Sequence, residues 1–168
     1  MLETIKRSTA TRAVLLAAFA FTLCTGSAFA GEKKPLVYTS RIGPVVSRTV
    51  APTGVPGHEL VQTVRQDMTY SPDPDWNDVT VMNYGQSDMR SGTGTVTGHA
   101  VRTHRNGDKS VVSYRGNLRT VEEGGRKDIV GEGTLELTGG TGKFANARGK
   151  GTWRAARGES AVEMEVEY

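Results

Sequence analysis

The sequence Thr138-Gly-Gly-Thr-Gly-Lys-Phe-Ala-Asn-Ala-Arg-Gly-Lys-Gly-Thr152 contains five glycines in fifteen residues and separates two strand-like runs, residues 133–138 and 152–156. Glycine permits positive φ and a close approach of neighbouring backbones, so this composition predicts a tight corner between two strands. Phe144 and Ala147 are apolar residues within the corner. We predict that they pack inward from a single helical turn that is too short to be a true helix.

Short alternating apolar and polar runs follow one another from His58 to Tyr168. Alternation with a period of two predicts half-buried strands. After residue 30, no stretch shows apolar residues at a sustained helical spacing of 3.6 residues. In the last run we expect Val162, Met164, Val166 and Tyr168 to face inward. Asn106-Gly107, between two such runs, predicts a β-hairpin. Roughly eight strands with turns every eight to twelve residues predict an all-β fold, an eight-stranded antiparallel barrel or alternatively a β-sandwich.

The first thirty residues are typical of a cleaved secretory signal peptide. Three basic residues, Lys6, Arg7 and Arg12, precede the apolar run of residues 13–23. Ala28-Phe-Ala30 has the pattern of a cleavage site. We therefore expect cleavage after Ala30 and a secreted or periplasmic protein without a membrane segment. An uncleaved anchor is less favoured, because the apolar run is short for a bilayer. A lipoprotein attached at Cys24 is also less favoured, because Leu23 precedes this cysteine where lipid attachment usually needs a small residue.

Removal of this leader changes the composition of the chain. The only cysteine, Cys24, is lost, and the formal charge falls from +3 to +1 because the leader carries three basic residues and Glu3. The basic balance is thus largely a leader property and gives no argument for nucleic acid as a partner. The expected organisation is a leader (1–30), an extended proline-containing arm (31–57) with an edge strand near Val45–Val50, and a β-barrel domain (58–168).

The glycine-rich corner resembles the Gly-Gly-Thr-Gly-x-Phe-x-x-Ala-x-Gly segment of the dirigent and allene oxide cyclase superfamily. The matching structural residues are Gly139, Gly140, Gly142, Phe144, Ala147 and Gly149. The resemblance is clear over residues 131–153 and implies a calycin-like, eight-stranded antiparallel barrel in a bacterial exported member. Dirigent proteins steer phenoxy-radical coupling and allene oxide cyclases cyclise an oxidised fatty acid. Their pocket residues lie outside this segment, so the resemblance carries no activity over to this chain.

Candidate motifs for cofactor and metal chemistry are better explained as turns and strands. Residues 140–145 fit the dinucleotide pattern G-x-G-x-x-A, but the glycines that follow interrupt the helix that this pattern requires. Residues 73–84 lack the glycine and the glutamate that a calcium loop needs at its sixth and twelfth positions. His99 and His104 are five residues apart and point to opposite faces of a strand. We predict neither a metal ion nor an organic cofactor.

The barrel interior is therefore the candidate site. An eight-stranded barrel either fills with side chains or encloses one small ligand. Trp76, on a loop between acidic residues, is expected at the rim or in an exposed partner contact. The alternative for the interior aromatic residues is an ordinary packed core. The predicted ligand-binding residues are Tyr70, Tyr84, His99, Arg102, Tyr114 and Trp153, with Met164 as a further lining residue.

Three functions stay open on this evidence. The favoured one is a non-catalytic binding protein for a small apolar or phenolic molecule. The second is a cyclase-like, isomerase-like or dirigent-like activity on a hydrophobic or phenolic substrate. The third is a surface-interaction protein that assembles as a homo-oligomer. An open cavity indicates the first, an open cavity with a buried ionisable pair indicates the second, and a filled barrel with an exposed apolar patch indicates the third.

Overall fold

A computed structural model describes residues 31–168, and the predicted signal peptide lies outside the described residues. This part of the chain confirms the all-β prediction, and within it no helix is long and apolar enough to cross a membrane. A single 3₁₀ turn, Gly142–Phe144, interrupts the strands. The strands are β1 (Lys34–Arg41), β2 (Val45–Pro52), β3 (His58–Tyr70), β4 (Val79–Arg90), β5 (Thr93–Thr103), β6 (Lys109–Glu123), β7 (Arg126–Gly140), β8 (Arg148–Ala156) and β9 (Glu159–Glu167).

The nine strands form one antiparallel sheet whose pairing closes into a ring. The order is β1-β9-β8-β7-β6-β5-β4-β3, and β1 then pairs with β3 through residues 39–41 and 68–70. Eight strands therefore form the barrel that the sequence predicts, and closure leaves no free edge within the ring. The ninth strand, β2, pairs with the first half of β3 and is the predicted edge strand.

Residues 31–57 are extended, as expected, but they do not stand apart from the barrel as an arm. Strand β1 pairs with β9 over its whole length and closes the ring against β3. Its residues Leu36, Tyr38 and Ser40 alternate inward and are buried. The prolines are compatible with these strands because they lie near the strand ends, as Pro35 and Pro52 do.

The connections between strands differ at the two ends of the barrel. At one end, three two-residue turns have positive φ at both positions: Ser91-Gly92, Gly124-Gly125 and Arg157-Gly158. Turns of this kind match the twist of antiparallel strands and add no bulk. At the opposite end the connections are longer and comprise residues 71–78, 104–108 and 141–147. The predicted hairpin at Asn106-Gly107 is one of them, joining β5 to β6. We call the end with the two-residue turns the open end, and the end with the longer connections the closed end.

The glycine-rich corner between β7 and β8 is confirmed. Gly139 and Gly142 have φ values of +123° and +51°, which side chains other than glycine rarely adopt. The 3₁₀ turn begins at Gly142 and brings Phe144 inward, and Ala147 also packs inward just before β8; the two residues are 1% and 0% exposed. The corner therefore seals part of the closed end, as the sequence predicts.

Side chains alternate between the interior and the outer surface along each strand. On β9 the prediction is confirmed for Val162, Met164 and Val166, which are buried, whereas Tyr168 follows the strand and is 37% exposed. On β3 the interior face is the more polar one: Asp67 and Thr69 are buried, whereas Tyr70 is 42% exposed. Hydrophobic alternation is misleading for β3 because this wall of the barrel lines a partly polar cavity.

Candidate functional site

The barrel encloses a cavity of about 600 Å³. This volume lies within the range of roughly 300–1,000 Å³ that is typical of small-molecule sites. Val45 and Ile129 line it at the open end and are more than half exposed, so the cavity reaches solvent there. Deeper in the barrel its wall is mainly apolar and includes Val81, Ala100, Val112, Leu135, Trp153 and Val162.

Inward-facing glycines make room for two large rings that lie along the cavity wall. The Tyr114 ring, from β6, lies over Gly98, where an added Cβ would overlap it. The Trp153 ring, from β8, likewise lies over Gly116 and close to Gly131. The two rings meet edge to face with centroids 6.1 Å apart. Because these rings follow the wall, the centre of the barrel stays open.

A chain of polar side chains occupies one side of the cavity, and we call Arg65, Asp67, Asn83 and Tyr114 the polar wall. The Tyr114 hydroxyl donates to Asn83 Oδ1 at 2.6 Å, and Asn83 Nδ2 donates to Asp67 Oδ2 at 3.2 Å. Arg65 Nη2 lies 3.5 Å from the same carboxylate oxygen, and the backbone N–H of Gly43 donates to Oδ1 at 3.0 Å. Two hydrogen-bond donors and one ion pair thus engage the Asp67 carboxylate, which is 4% exposed.

Burial strengthens the preference of the Tyr114 hydroxyl for its protonated form. It raises the pKa of Tyr114 to about 12, and nearby Asp67 adds to the effect while Arg65 opposes it. The hydroxyl is therefore protonated at neutral pH and acts as a donor to Asn83. This orients the Asn83 amide so that its nitrogen faces Asp67.

Five rings close the opposite end, and we call Tyr38, Trp76, His104, Phe144 and Tyr168 the aromatic cap. Trp76 stacks on Tyr38 with centroids 5.8 Å apart and meets Phe144 edge to face at 5.7 Å. Its indole N–H donates to the Tyr168 hydroxyl at 2.7 Å. The expectation that Trp76 is a rim or exposed residue is wrong, because loop 71–78 folds over the barrel and leaves Trp76 0% exposed.

His104 is held in one neutral form within the cap. Its Nδ1–H donates to the carbonyl of Asp75 at 2.8 Å, so Nε2 accepts from the Ser110 hydroxyl at 2.8 Å. The ring stacks on Phe144 with centroids 3.9 Å apart. Burial lowers the pKa of His104, which the hydrogen bond to Asp75 only partly opposes.

Arg102 lies between the aromatic cap and the cavity and is 3% exposed. Its Nη2 donates to the Tyr38 hydroxyl, and its guanidinium carbon lies 4.7 Å from the Tyr38 ring centroid and 5.4 Å from that of Trp76. Burying an ion costs several kcal/mol, and a desolvated cation–π contact contributes about 2 kcal/mol. The rings therefore offset part of the cost of this buried charge.

The structure brings together some of the predicted site residues and separates the others. Arg102, Tyr114 and Trp153 line the cavity, as does Val162 on β9. Met164, predicted as a further lining residue, is buried in the packed core and does not line the cavity. The placement of Tyr70, Tyr84 and His99 in the lumen is wrong, since all three are exposed on the outer surface. They have the outward parity of β3, β4 and β5, because Asp67, Val81 and Ala100 on the same strands point inward.

Sequence reasoning missed most of the polar wall. Thr63, Arg65, Asp67 and Thr69 share one parity of β3, and this run of polar residues was the available signal. Such a run usually marks a solvated face, and only ring closure places it inside. Tyr38 was missed as well, because it lies in the segment that we expected to be an arm.

Among residues 31–168, no three His, Cys, Asp or Glu side chains are grouped so that they could hold a metal ion. The two histidines considered together in the sequence lie apart: His104 is buried in the aromatic cap and His99 is exposed. The charged groups that line the cavity are three carboxylates, three guanidinium groups and one ammonium group, and the deeper ones are Arg65, Asp67 and Arg102.

No protein-family model and no curated protein matches this sequence. Among solved structures, the chain is similar to the pterocarpan synthase dirigent protein GePTS1, with a TM-score of 0.46 and 17% sequence identity over 96% of this chain and 99% of that chain. The strand pairing itself defines the fold. Fold and site together describe an antiparallel β-barrel with a ligand-sized cavity that is open at one end.

Proposed function

We propose that this protein is an exported small-molecule-binding barrel that holds an apolar or phenolic ligand in its cavity. The observation that carries the proposal is the cavity of about 600 Å³, which is mainly apolar in its deeper part and holds a few buried polar groups, among them Asp67 and Arg102. Binding sites for small molecules combine these features, because apolar area supplies affinity and a few polar groups fix orientation. Residues 31–168 do not form the filled barrel that we expect of a purely surface-interacting protein.

The proposal is tested by filling the cavity from one strand. Ala100 on β5 is buried and lines the cavity, whereas Thr97 on the same strand is exposed. We expect Ala100→Phe to weaken binding of small phenols and naphthalene derivatives at least tenfold, about 1.4 kcal/mol, because the added ring occupies the ligand's space. Isothermal titration calorimetry on the mature chain measures the change.

Thr97→Phe is the matched control, since it adds the same ring to the outer surface and should leave affinity unchanged. Val96→Phe, nearer the open end, replaces Ala100→Phe if that variant does not fold. Equal affinities of the Ala100→Phe variant and the control would contradict binding inside the barrel.

A cyclase-like, isomerase-like or dirigent-like activity is the second candidate. The observation that favours it is the pair of half-buried Arg65 and buried Asp67 in the polar wall, 3.5 Å apart and next to the cavity. An ionisable pair that borders an open cavity is a candidate for moving protons. It ranks second because two hydrogen bonds and the ion pair already engage the carboxylate, and a general base must reach the substrate's proton.

The two candidates are separated by what happens to a bound molecule. Compounds that bind in the calorimeter are incubated with the protein, extracted and analysed by mass spectrometry and chiral chromatography. Unchanged compounds support binding alone. A product whose formation stops in the Asp67→Asn variant, with affinity retained, would support the second candidate.

A further inference from the structure

Arg102 is a buried cation that lacks an acidic partner within residues 31–168. It takes part in none of the ion pairs of this part of the chain. Its Nε and Nη1 atoms are buried and have no hydrogen-bond acceptor among these residues. Only Nη2 is engaged, by the Tyr38 hydroxyl. A guanidinium group carries five N–H donors, so most of its capacity is unused.

The other charges at the cavity do not supply the missing partner. Asp67 is engaged by Arg65, Asn83 and the Gly43 backbone. The remaining charged lining residues, Arg48, Glu59, Lys127 and Asp128, comprise two cations and two anions and come from the strand ends and β2. The deep part of the cavity therefore holds one excess positive charge, at Arg102.

We propose that the cavity binds an aromatic carboxylate whose anionic group pairs with Arg102 and whose ring packs against the apolar wall. This inference rests on the proposed binding function and names the class of ligand. A single carboxylate matches a single unpaired guanidinium in charge and in planar geometry. Tyr114 and Trp153 supply flat surface for an aromatic ring.

The ligand enters with its charged group towards the closed end. Both unpaired nitrogens are covered in the present arrangement, so pairing requires Arg102 to rotate towards the cavity axis. The contact with the Tyr38 ring favours the present rotamer, and the charge-assisted hydrogen bonds to the carboxylate favour the rotated one. The ring of the ligand then lies between Arg102 and the open end.

A matched pair of ligands tests the inference directly. Naphthalene-2-carboxylate and 2-naphthalenemethanol share one ring system and differ in charge at neutral pH. We expect calorimetry at pH 7.5 to show that the mature protein binds the acid at least tenfold more tightly than the alcohol. Arg102→Met should abolish this preference and change the affinity for the alcohol less than threefold, because the variant keeps the bulk of the side chain.

Two further variants complete the test. Arg154→Met is the control, since Arg154 is 84% exposed on the outer surface and should leave the preference for the acid intact. Arg102→Lys keeps the positive charge but lacks the planar guanidinium donors. We expect this variant to retain a reduced preference for the acid over the alcohol. It also replaces Arg102→Met if that variant does not fold.

The outcomes separate this inference from the binding function on which it rests. Equal affinity of the mature protein for acid and alcohol would overturn the role of Arg102 while leaving cavity binding intact. A preference that survives in Arg102→Met would overturn it as well. Binding of phenols but of neither naphthalene compound would reject the ligand class alone, and failure of every aromatic probe to bind would reject the proposed function.

Discussion

His104 is a single buried side chain that makes the stability of the fold depend on pH. Its Nδ1–H faces a backbone carbonyl, and in the neutral ring its Nε2 accepts from Ser110, so both ring nitrogens have partners without an added charge. Stacking on Phe144 and burial beside Arg102 leave no room for hydration of an added charge. Folding therefore favours neutral His104, which is why its pKa lies below its ordinary value.

The pH dependence of stability follows from this lowered pKa. In the unfolded chain His104 takes up a proton near pH 6.5, whereas the folded chain resists protonation until lower pH. The stabilisation is fully present above pH 6.5 and is lost as the pH falls through the folded pKa, by at most about 1.4 kcal/mol per pH unit. Urea unfolding should thus show a larger loss between pH 7.5 and 5.5 for the natural protein than for His104→Gln.

The exposed His99 provides the control for this measurement. His99→Gln should keep the pH dependence of the natural protein, because this side chain is exposed and lies outside the aromatic cap. A His104→Gln variant with the same pH dependence as the natural protein would contradict the role of His104.

The strands and turns were largely predictable, because their signals are local. Asn106-Gly107 gave its hairpin, and the glycine-rich corner gave the 3₁₀ turn with Phe144 inside. The inward face of β3 and the burial of Trp76 were not predictable in the same way. Both depend on contacts between distant strands and loops in the closed ring. Neither the alternation within a strand nor the composition of a loop carries information about such contacts.

The corner between β7 and β8 is expected to stabilise the whole barrel through Phe144. Its ring contacts His104, Trp76 and Tyr168 and is 1% exposed. Phe144→Ala should reduce the free energy of unfolding by about 3–5 kcal/mol, measured by urea denaturation, because the cavity that it leaves is enclosed by rigid rings.

Two further substitutions serve as comparisons for this loss of stability. Phe144→Leu keeps most of the buried volume and should cost less than Phe144→Ala. Lys150→Ala, on the outward face of β8, should change stability within about 0.5 kcal/mol, as surface substitutions usually do. A Phe144→Ala cost below about 1 kcal/mol would show that the cap does not hold the closed end together.

The whole molecule combines a sealed end, an open end and a ring of strands, and the cavity exists only because all three coincide. The sequence motif identified the corner and the class of fold, and three of the six predicted ligand-binding residues reach the cavity. The polar wall and the pairing of β1 with β3 join residues far apart in the chain. Sequence patterns of strand length contain no signal for such contacts.

Ring closure between β1 and β3 is the central claim, because an open sheet would have no enclosed cavity. Ser40 and Thr69 are paired across this junction, with their buried hydroxyl oxygens 3.1 Å apart. Facing residues of antiparallel strands lie within the Cα separation that a disulfide requires. The mature chain has no natural cysteine to interfere if the leader is removed after Ala30.

The most direct measurement is therefore thiol titration of the mature Ser40→Cys/Thr69→Cys variant after mild oxidation. We predict that a disulfide forms within the monomer and that the far-ultraviolet circular dichroism stays that of the natural protein. A Ser40→Cys/Ser113→Cys pair, with its second cysteine on β6 across the barrel, should keep both thiols free in the monomer. Two free thiols in the folded Ser40→Cys/Thr69→Cys variant would contradict closure of the ring.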